Sequence, residues 1–202
     1  MIKLFKAEHG KLVLALDFLA VLCLILGAFI FAKPIYPEAE YYLDSPISNI
    51  RHALEFVGMP AESPRPDMEA IPAENHLFIP KIGVDGKVYE GDNSKLLYKG
   101  IWRLPNSQKP SQGGNTVIVA HRYLEKSGPN TFYLLDKIKK GDEVVLWWDK
   151  VRYNYQVTSA FEVNPDQIEI EDHSETSKLT LYTCTPLWSG SRRLVVLAEP
   201  IH

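Results

Sequence analysis

Cysteine is scarce in this chain: Cys23 and Cys184 are the only two among 202 residues. Two cysteines make no disulfide framework, and their contexts, an apolar run and a strand end, argue against pairing. No cysteine and histidine group has zinc-ligand spacing, so no metal site is expected. A basic stripe is missing too. The net charge is −3, which speaks against nucleic-acid binding. There is no internal repeat, and the composition is that of a globular chain rather than a disordered one. The length allows one ordinary domain plus an extra segment.

The extra segment is at the front. Lys3, Lys6 and Lys11 precede an apolar run over residues 12–32, broken only by Asp17 and ended by Lys33 and Pro34. About 20 apolar residues are what a membrane-spanning helix needs. A cleaved signal peptide fits less well. Ala32 suits the position before the cut, but bulky Ile30 stands where a small residue is needed. The expectation is an uncleaved anchor. Residues 1–11 are then cytoplasmic and the rest extracellular, because positive charge stays inside. Residues 33–75 read as a stalk with two possible short helices, Pro37–Leu43 and Ile47–Val57. A linker carrying Pro60, Pro64, Pro66 and Pro72 follows.

Residues 76–202 change texture to short apolar or alternating runs separated by turn residues. The segments His76–Gly83, Val88–Gly91, Thr116–Ala120, Glu143–Trp148, Arg152–Thr158, Lys178–Thr183 and Arg193–Glu199 read as strands. Residues 94–98 read as one helical turn with Ser94 as N-cap, and 130–138 as a short helix. Many short strands with little helix predict an all-β fold closed, or nearly closed, into a barrel.

The chemistry-bearing stretch is Leu179-Thr180-Leu181-Tyr182-Thr183-Cys184-Thr185-Pro186, followed after a short loop by Arg192-Arg193-Leu194-Val195-Val196. A lone cysteine is most often a small buried hydrophobe. Fixed positive charge nearby, however, raises the fraction of a thiol present as the nucleophilic thiolate. Of the six histidines, His121 closes the strand-like run Val117–Ala120 and is the best general acid for a leaving amine. His173, in the acidic stretch 169–175, is its rival. Neighbours in a strand face opposite ways, so only one of Arg192 and Arg193 can share the cysteine's face and hydrogen-bond an oxyanion.

Together these residues resemble the sortases, cysteine transpeptidases of bacterial cell surfaces. Thr180-Leu181-Tyr182-Thr183-Cys184 is similar to the family's Thr-Leu-x-Thr-Cys signature. Residues 77–83, 114–122 and 132–142 resemble its first strand, its histidine strand and the helix and turn after it. Arg193-Leu194-Val195-Val196 resembles its arginine strand, which favours Arg193 over Arg192. The resemblance implies a closed eight-stranded β-barrel with short helices, preceded by the transmembrane helix, and a groove holding Cys184, His121 and Arg193. It implies attack by Cys184 on a Leu-Pro-x-Thr-Gly-like sorting signal, oxyanion support from Arg193 and a proton from His121. A thioester forms, and the product passes to an amine of the cell wall or of another subunit. Thr183 is implied to line the substrate threonine's site. No cofactor is implied, and the acidic residues Glu169, Glu171, Asp172 and Glu175 read as a solvated loop rather than a calcium site. The family's pilus-polymerising members carry an Asp-Pro-aromatic lid. Residues 63–68 do not match it, so a type without a lid is favoured. The chain ends without a second apolar helix, so the N-terminal segment is expected to be the tether. Leu104-Pro105-Asn106-Ser107-Gln108 half resembles a sorting signal but reads as a surface loop. The competing readings are a cysteine hydrolase without transfer and an inactive tethered β-domain.

Overall fold

The computed structural model describes residues 16–30, 71–123 and 130–201. The chain divides into two compact units, residues 1–60 and 61–202. In the first, residues 16–30 form a helix whose large apolar side chains, Phe18 and Leu24 among them, are exposed. No helix among the described residues is long and apolar enough to cross a membrane. Both ends of the expected 12–32 span lie outside the described residues. So do the tail 1–11, the two possible helices of the stalk and most of the linker, through residue 70.

The second unit contains eight strands: β1 (His76–Ile79), β2 (Val84–Tyr89), β3 (Ile101–Arg103), β4 (Asn115–Val119), β5 (Glu143–Trp148), β6 (Val151–Val163), β7 (Lys178–Thr185) and β8 (Arg192–Pro200). They close into a barrel in the order β1-β2-β3-β4-β7-β8-β6-β5, with β5 returning to β1. Closure leaves no strand edge unpaired. Two of the pairings are parallel, β2 with β3 and β4 with β7, and the rest are antiparallel. The β4–β7 pairing matters most, because it brings the histidine strand and the cysteine strand side by side although β5 and β6 intervene in sequence.

Alternation along the strands sorts the side chains. The interior is filled by Leu77, Ile79, Ile118, Leu146, Trp148, Leu179, Leu181 and Val196, all essentially without solvent exposure, and Phe132 plugs it from the β4–β5 connection. A second, smaller apolar cluster lies on the other face of the wall. Trp102, Val117 and Val119 form its base, with Tyr89, Leu96, Leu97, Leu104 and Tyr182 packed against them. Val117 and Val119 alternate with the core residues Ile118 and Ala120, so the two clusters occupy opposite sides of β4.

Local details differ from the sequence reading. β3 had no counterpart in it, since three residues are too few for a periodicity. β6 runs on to Val163, well past Thr158. Pro80 opens a 3-10 turn, Pro80–Ile82, so β1 stops at Ile79 instead of running to Gly83. The N-cap of the turn Ser94–Tyr98 is Asn93, whose side chain accepts from Lys95 N at 3.0 Å. The expected helix 130–138 shrinks to one 3-10 turn, Leu135–Lys137. Asp149 and Lys150 do make the β5–β6 hairpin turn, both with positive φ, as a two-residue loop of matching twist requires.

One buried polar side chain joins three elements. Asn115, fully buried at the start of β4, donates from Nδ2 to Ile170 O at 3.0 Å and Asp172 O at 2.9 Å. Its Oδ1 accepts from Thr180 Oγ1 at 2.7 Å. Replacing it with alanine would orphan a hydroxyl and two carbonyls. Each unsatisfied buried group costs roughly 1–3 kcal/mol. Asn115→Ala in the full chain is therefore expected to lose about 2–4 kcal/mol of stability in denaturant unfolding.

Candidate active site

Cys184 is the next-to-last residue of β7 and is partly exposed as a free thiol. Strand parity sets its direction. Leu179 and Leu181 point into the barrel, so Tyr182 and Cys184 point outward. Directly across the antiparallel β7–β8 ladder from Cys184 stands Arg193, while Arg192 is paired with Thr185. Residues directly opposite in such a ladder share a face. Arg193 therefore lies on the cysteine's side and Arg192 does not.

Hydrogen bonding separates the two arginines further. Arg192 is engaged by Glu162 of β6: its Nε lies 3.3 Å from the carboxylate and its Nη2 donates to the Glu162 carbonyl at 3.2 Å. Arg193 has no carboxylate partner among the described residues. Its Nη1 donates to Gly190 O and to Arg192 O, each at 3.1 Å, and its Nε and Nη2 have no partner among the described residues. Gly190 belongs to the β7–β8 loop, has φ +58° and donates its own N–H to Pro186 O at 2.9 Å. The loop thus folds back, and a Cβ placed on Gly190 would meet Cys184 Cβ at 3.5 Å. The guanidinium is steadied from one side by backbone carbonyls and open on the other.

His121 reaches the same face from β4. The parallel β4–β7 register ends at Val119 opposite Tyr182. One step further, Thr183 Oγ1 donates to Ala120 O at 2.8 Å, so the strands stay joined as far as the residue before His121. Carried on by one more residue, this pairing sets His121 alongside Cys184. Val117 and Val119 face outward, and His121 continues their parity. Its ring is half-buried, with the Tyr98 ring tilted against it at 46° and 5.2 Å between centroids. Burial holds its pKa below the ordinary 6.5. Nε2 is shut off from solvent with no hydrogen-bond partner among the described residues.

Thr183 is placed differently from the expectation. It follows Leu181 on the inward face, is 2% exposed, and its hydroxyl is taken by Ala120 O. Its side chain ties β7 to β4 instead of lining the outward surface, for the same parity reason that turns Cys184 outward. His173 is exposed in the β6–β7 connection, five residues before β7 begins and so at the opposite end of that strand from Cys184. His76 is engaged with Asp85 at 2.5 Å. Among the described residues no group of three histidine, cysteine, aspartate or glutamate side chains could hold a metal ion.

The sequence reading passed over the floor beside these three residues. Tyr182 packs on the outer apolar cluster, and its hydroxyl donates to Glu171 at 2.6 Å. Burial first, then the bond to Glu171, push its phenol pKa up. Parity applied to Tyr182 as it was to the arginines would have placed it with Cys184. The Leu104–Gln108 stretch is tied down here as well. Buried Arg103 donates to Leu104 O at 2.9 Å and Ser107 O at 2.5 Å, and Leu104 joins the apolar cluster, so the stretch is part of the wall.

Comparison with known proteins agrees with this geometry. The family model for the sortase domain matches residues 77–201. Sortase A of Bacillus anthracis is 26% identical over 197 residues, covering 89% of this chain and 91% of that protein. Sortase D of Bacillus subtilis is 28% identical over 115 residues, 56% of this chain and 55% of its own length. Among solved structures, sortase C-1 from Actinomyces oris superposes with a TM-score of 0.58 at 27% identity, covering 63% of this chain and 73% of that one. A match that runs from β1 past the end of β8 takes in the whole barrel and every residue brought together on its outer face: the chain belongs to the sortase family.

Proposed function

We propose that this chain is a membrane-anchored cysteine transpeptidase acting on a Leu-Pro-x-Thr-Gly-like sorting signal. The observation that carries the reading is the shared outward face of Cys184 and its cross-strand partner Arg193, with the His121 strand alongside. The Cys184 thiolate attacks the backbone carbonyl of the signal's threonine. The oxyanion that forms is met by the open side of Arg193, where Nε and Nη2 are available. A pre-aimed donor of this kind is a large source of rate enhancement. His121, as imidazolium, gives its proton to the departing amine of glycine, and the carbonyl is left as a thioester on Cys184. An incoming amine attacks the thioester, His121 takes up the proton, and the thiolate leaves. These steps need no cofactor.

The partly buried residues of the outer cluster, Tyr89, Leu96, Leu97 and Leu104, support the substrate side of this reading, because the signal's leucine and proline need apolar walls. Transfer to a cell-wall or protein amine distinguishes the reaction from plain hydrolysis. The apolar segment 12–32 supports anchoring with the barrel outside the cell. Residues 33–75 contain no Asp-Pro-aromatic motif, so we favour an enzyme without a lid.

Incubating the full chain in detergent with a library of Leu-Pro-x-Thr-Gly peptides, with and without an amine, tests the reaction by mass spectrometry. Wild type should give a Cys184 thioester and, with amine, an exchanged product. Cys184→Ala should give neither. Hydrolysed product alone at saturating amine would favour a hydrolase. Arg193→Ala should slow turnover by roughly 10²–10³, while Arg192→Ala, which breaks only the pair with Glu162, should stay within about ten-fold. The reverse order would transfer the oxyanion role to Arg192.

His121 offers a pH test. The folded chain binds its proton less readily than the unfolded chain does, so acid favours unfolding. Stability from this group is whole above about 6.5 and falls as pH drops from there through the lowered folded value. The imidazole should titrate by NMR with a midpoint below 6.5, and His121→Gln should lose less stability than wild type between pH 7 and pH 5. A midpoint above 6.5 would contradict the burial seen at the ring.

A further inference from the structure

The outer apolar floor contains a hydroxyl that its packing does not require. Tyr182 stands two residues before Cys184 on the same face and packs on Trp102, Val117 and Val119. A phenylalanine would fill that space equally well. The recorded work of the hydroxyl is one bond, to Glu171 Oε1 at 2.6 Å. Glu171 closes the 3-10 turn Ile168–Glu171 in the β6–β7 connection and has no salt-bridge partner among the described residues. Its carboxylate is therefore tied to the floor through Tyr182.

The same turn is held a second way. Asn115, deep in the wall, donates to the carbonyls of Ile170 and Asp172 on either side of Glu171. That anchor is fully buried and grips backbone. The Tyr182–Glu171 bond is partly buried and joins side chains at the margin of the floor, within electrostatic reach of both Cys184 and Arg193. A hydrogen bond to a carboxylate is short and about twice as strong as a neutral one, so a single bond of this kind can hold a turn in place.

We propose that the Tyr182–Glu171 hydrogen bond is a latch that holds the β6–β7 turn against the outer face of β7, and that both side chains are positioning residues for substrate binding. The proposal rests on the transpeptidase reading above and deepens it. The turn is one wall of the floor on which the sorting signal lies. Releasing it loosens that wall without touching the reacting atoms. Binding then weakens while the chemical step keeps its rate.

The test uses the full chain in detergent and the Leu-Pro-x-Thr-Gly peptide that gives wild type the most thioester. Tyr182→Phe removes only the hydroxyl, Glu171→Ala removes the carboxylate, and Glu171→Gln keeps a carbonyl acceptor. Tyr182→Phe and Glu171→Ala should each raise KM about ten-fold, the scale of one hydrogen bond to a charged group, with kcat within about two-fold. The double variant should be no worse than either single one. Glu171→Gln should stay within about three-fold of wild type. Hydrogen exchange supplies the second readout. The amides of Ile168 and Asp172, bonded within the turn to Asp166 O and Glu169 O, should exchange faster in Tyr182→Phe and Glu171→Ala than in wild type. Unchanged exchange and KM in an active enzyme would overturn the latch and leave the transpeptidase reading standing. So would a fall in kcat and melting temperature with KM unmoved. Absence of a Cys184 thioester with every peptide would overturn the transpeptidase reading, and with it the substrate role, while the exchange rates would still decide whether the latch holds the turn.

Discussion

The antiparallel ladder between β7 and β8 sets Cys184 opposite Arg193, and the rest of the site is arranged around that pairing. A side-chain period of two makes the register unforgiving. A slip of one residue would bring Arg192 to the cysteine and turn Arg193 inward. Several contacts hold the register. Leu194, Val196 and Ala198 alternate into the core, so a slip would bury a charge and expose apolar surface. Glu162 takes Arg192 on the far side. The β7–β8 loop folds back through Gly190 and lends its carbonyl to Arg193. The guanidinium is consequently orientated before any substrate arrives.

The barrel wall serves two solvents at once. Its inner face packs Trp148, Leu181 and Val196, and its outer face carries a second apolar patch around Trp102 and Val119. A strand with one wet face would alternate in polarity, but β4 is buried along its whole length. That continuous burial gives His121, which follows β4, an apolar surround, in which charge–dipole contacts weigh more than in water. His121 bears the expense: its Nε2 has no partner among the described residues and its protonation is disfavoured.

Fold and chemistry meet at the ends of strands. β4 and β7 run parallel and their ladder stops at Val119 and Tyr182, so the residues just beyond emerge together. Thr183, on the core side, and Asn115, buried on the outer side, keep these strands in step, one at each end of the shared ladder. Neither need touch a substrate to matter. Their buried hydrogen bonds determine how closely the outward-facing side chains are aligned.

Much of this was legible from the residues alone. The short runs with turn signals announced a barrel, and the Thr-Leu-x-Thr-Cys stretch with its histidine and arginine strands pointed to the family. Local patterns carry that information because alternation and turn chemistry act over a few residues. Parity within β8 even reduced the arginine question to two alternatives, yet it could not choose between them, since alternation is silent about which face meets a partner strand. The resemblance to the family's arginine strand favoured Arg193, and the physical reason lies in the Cys184–Arg193 register and in Glu162, thirty residues from Arg192 in sequence, which engages the other arginine. The inward turn of Thr183, the second apolar cluster and the bond from Tyr182 to Glu171 were beyond sequence for the same reason. Residue type and spacing determined which groups could react, whereas pairing between distant strands, paid for by burial of the core, decided which of them face one another.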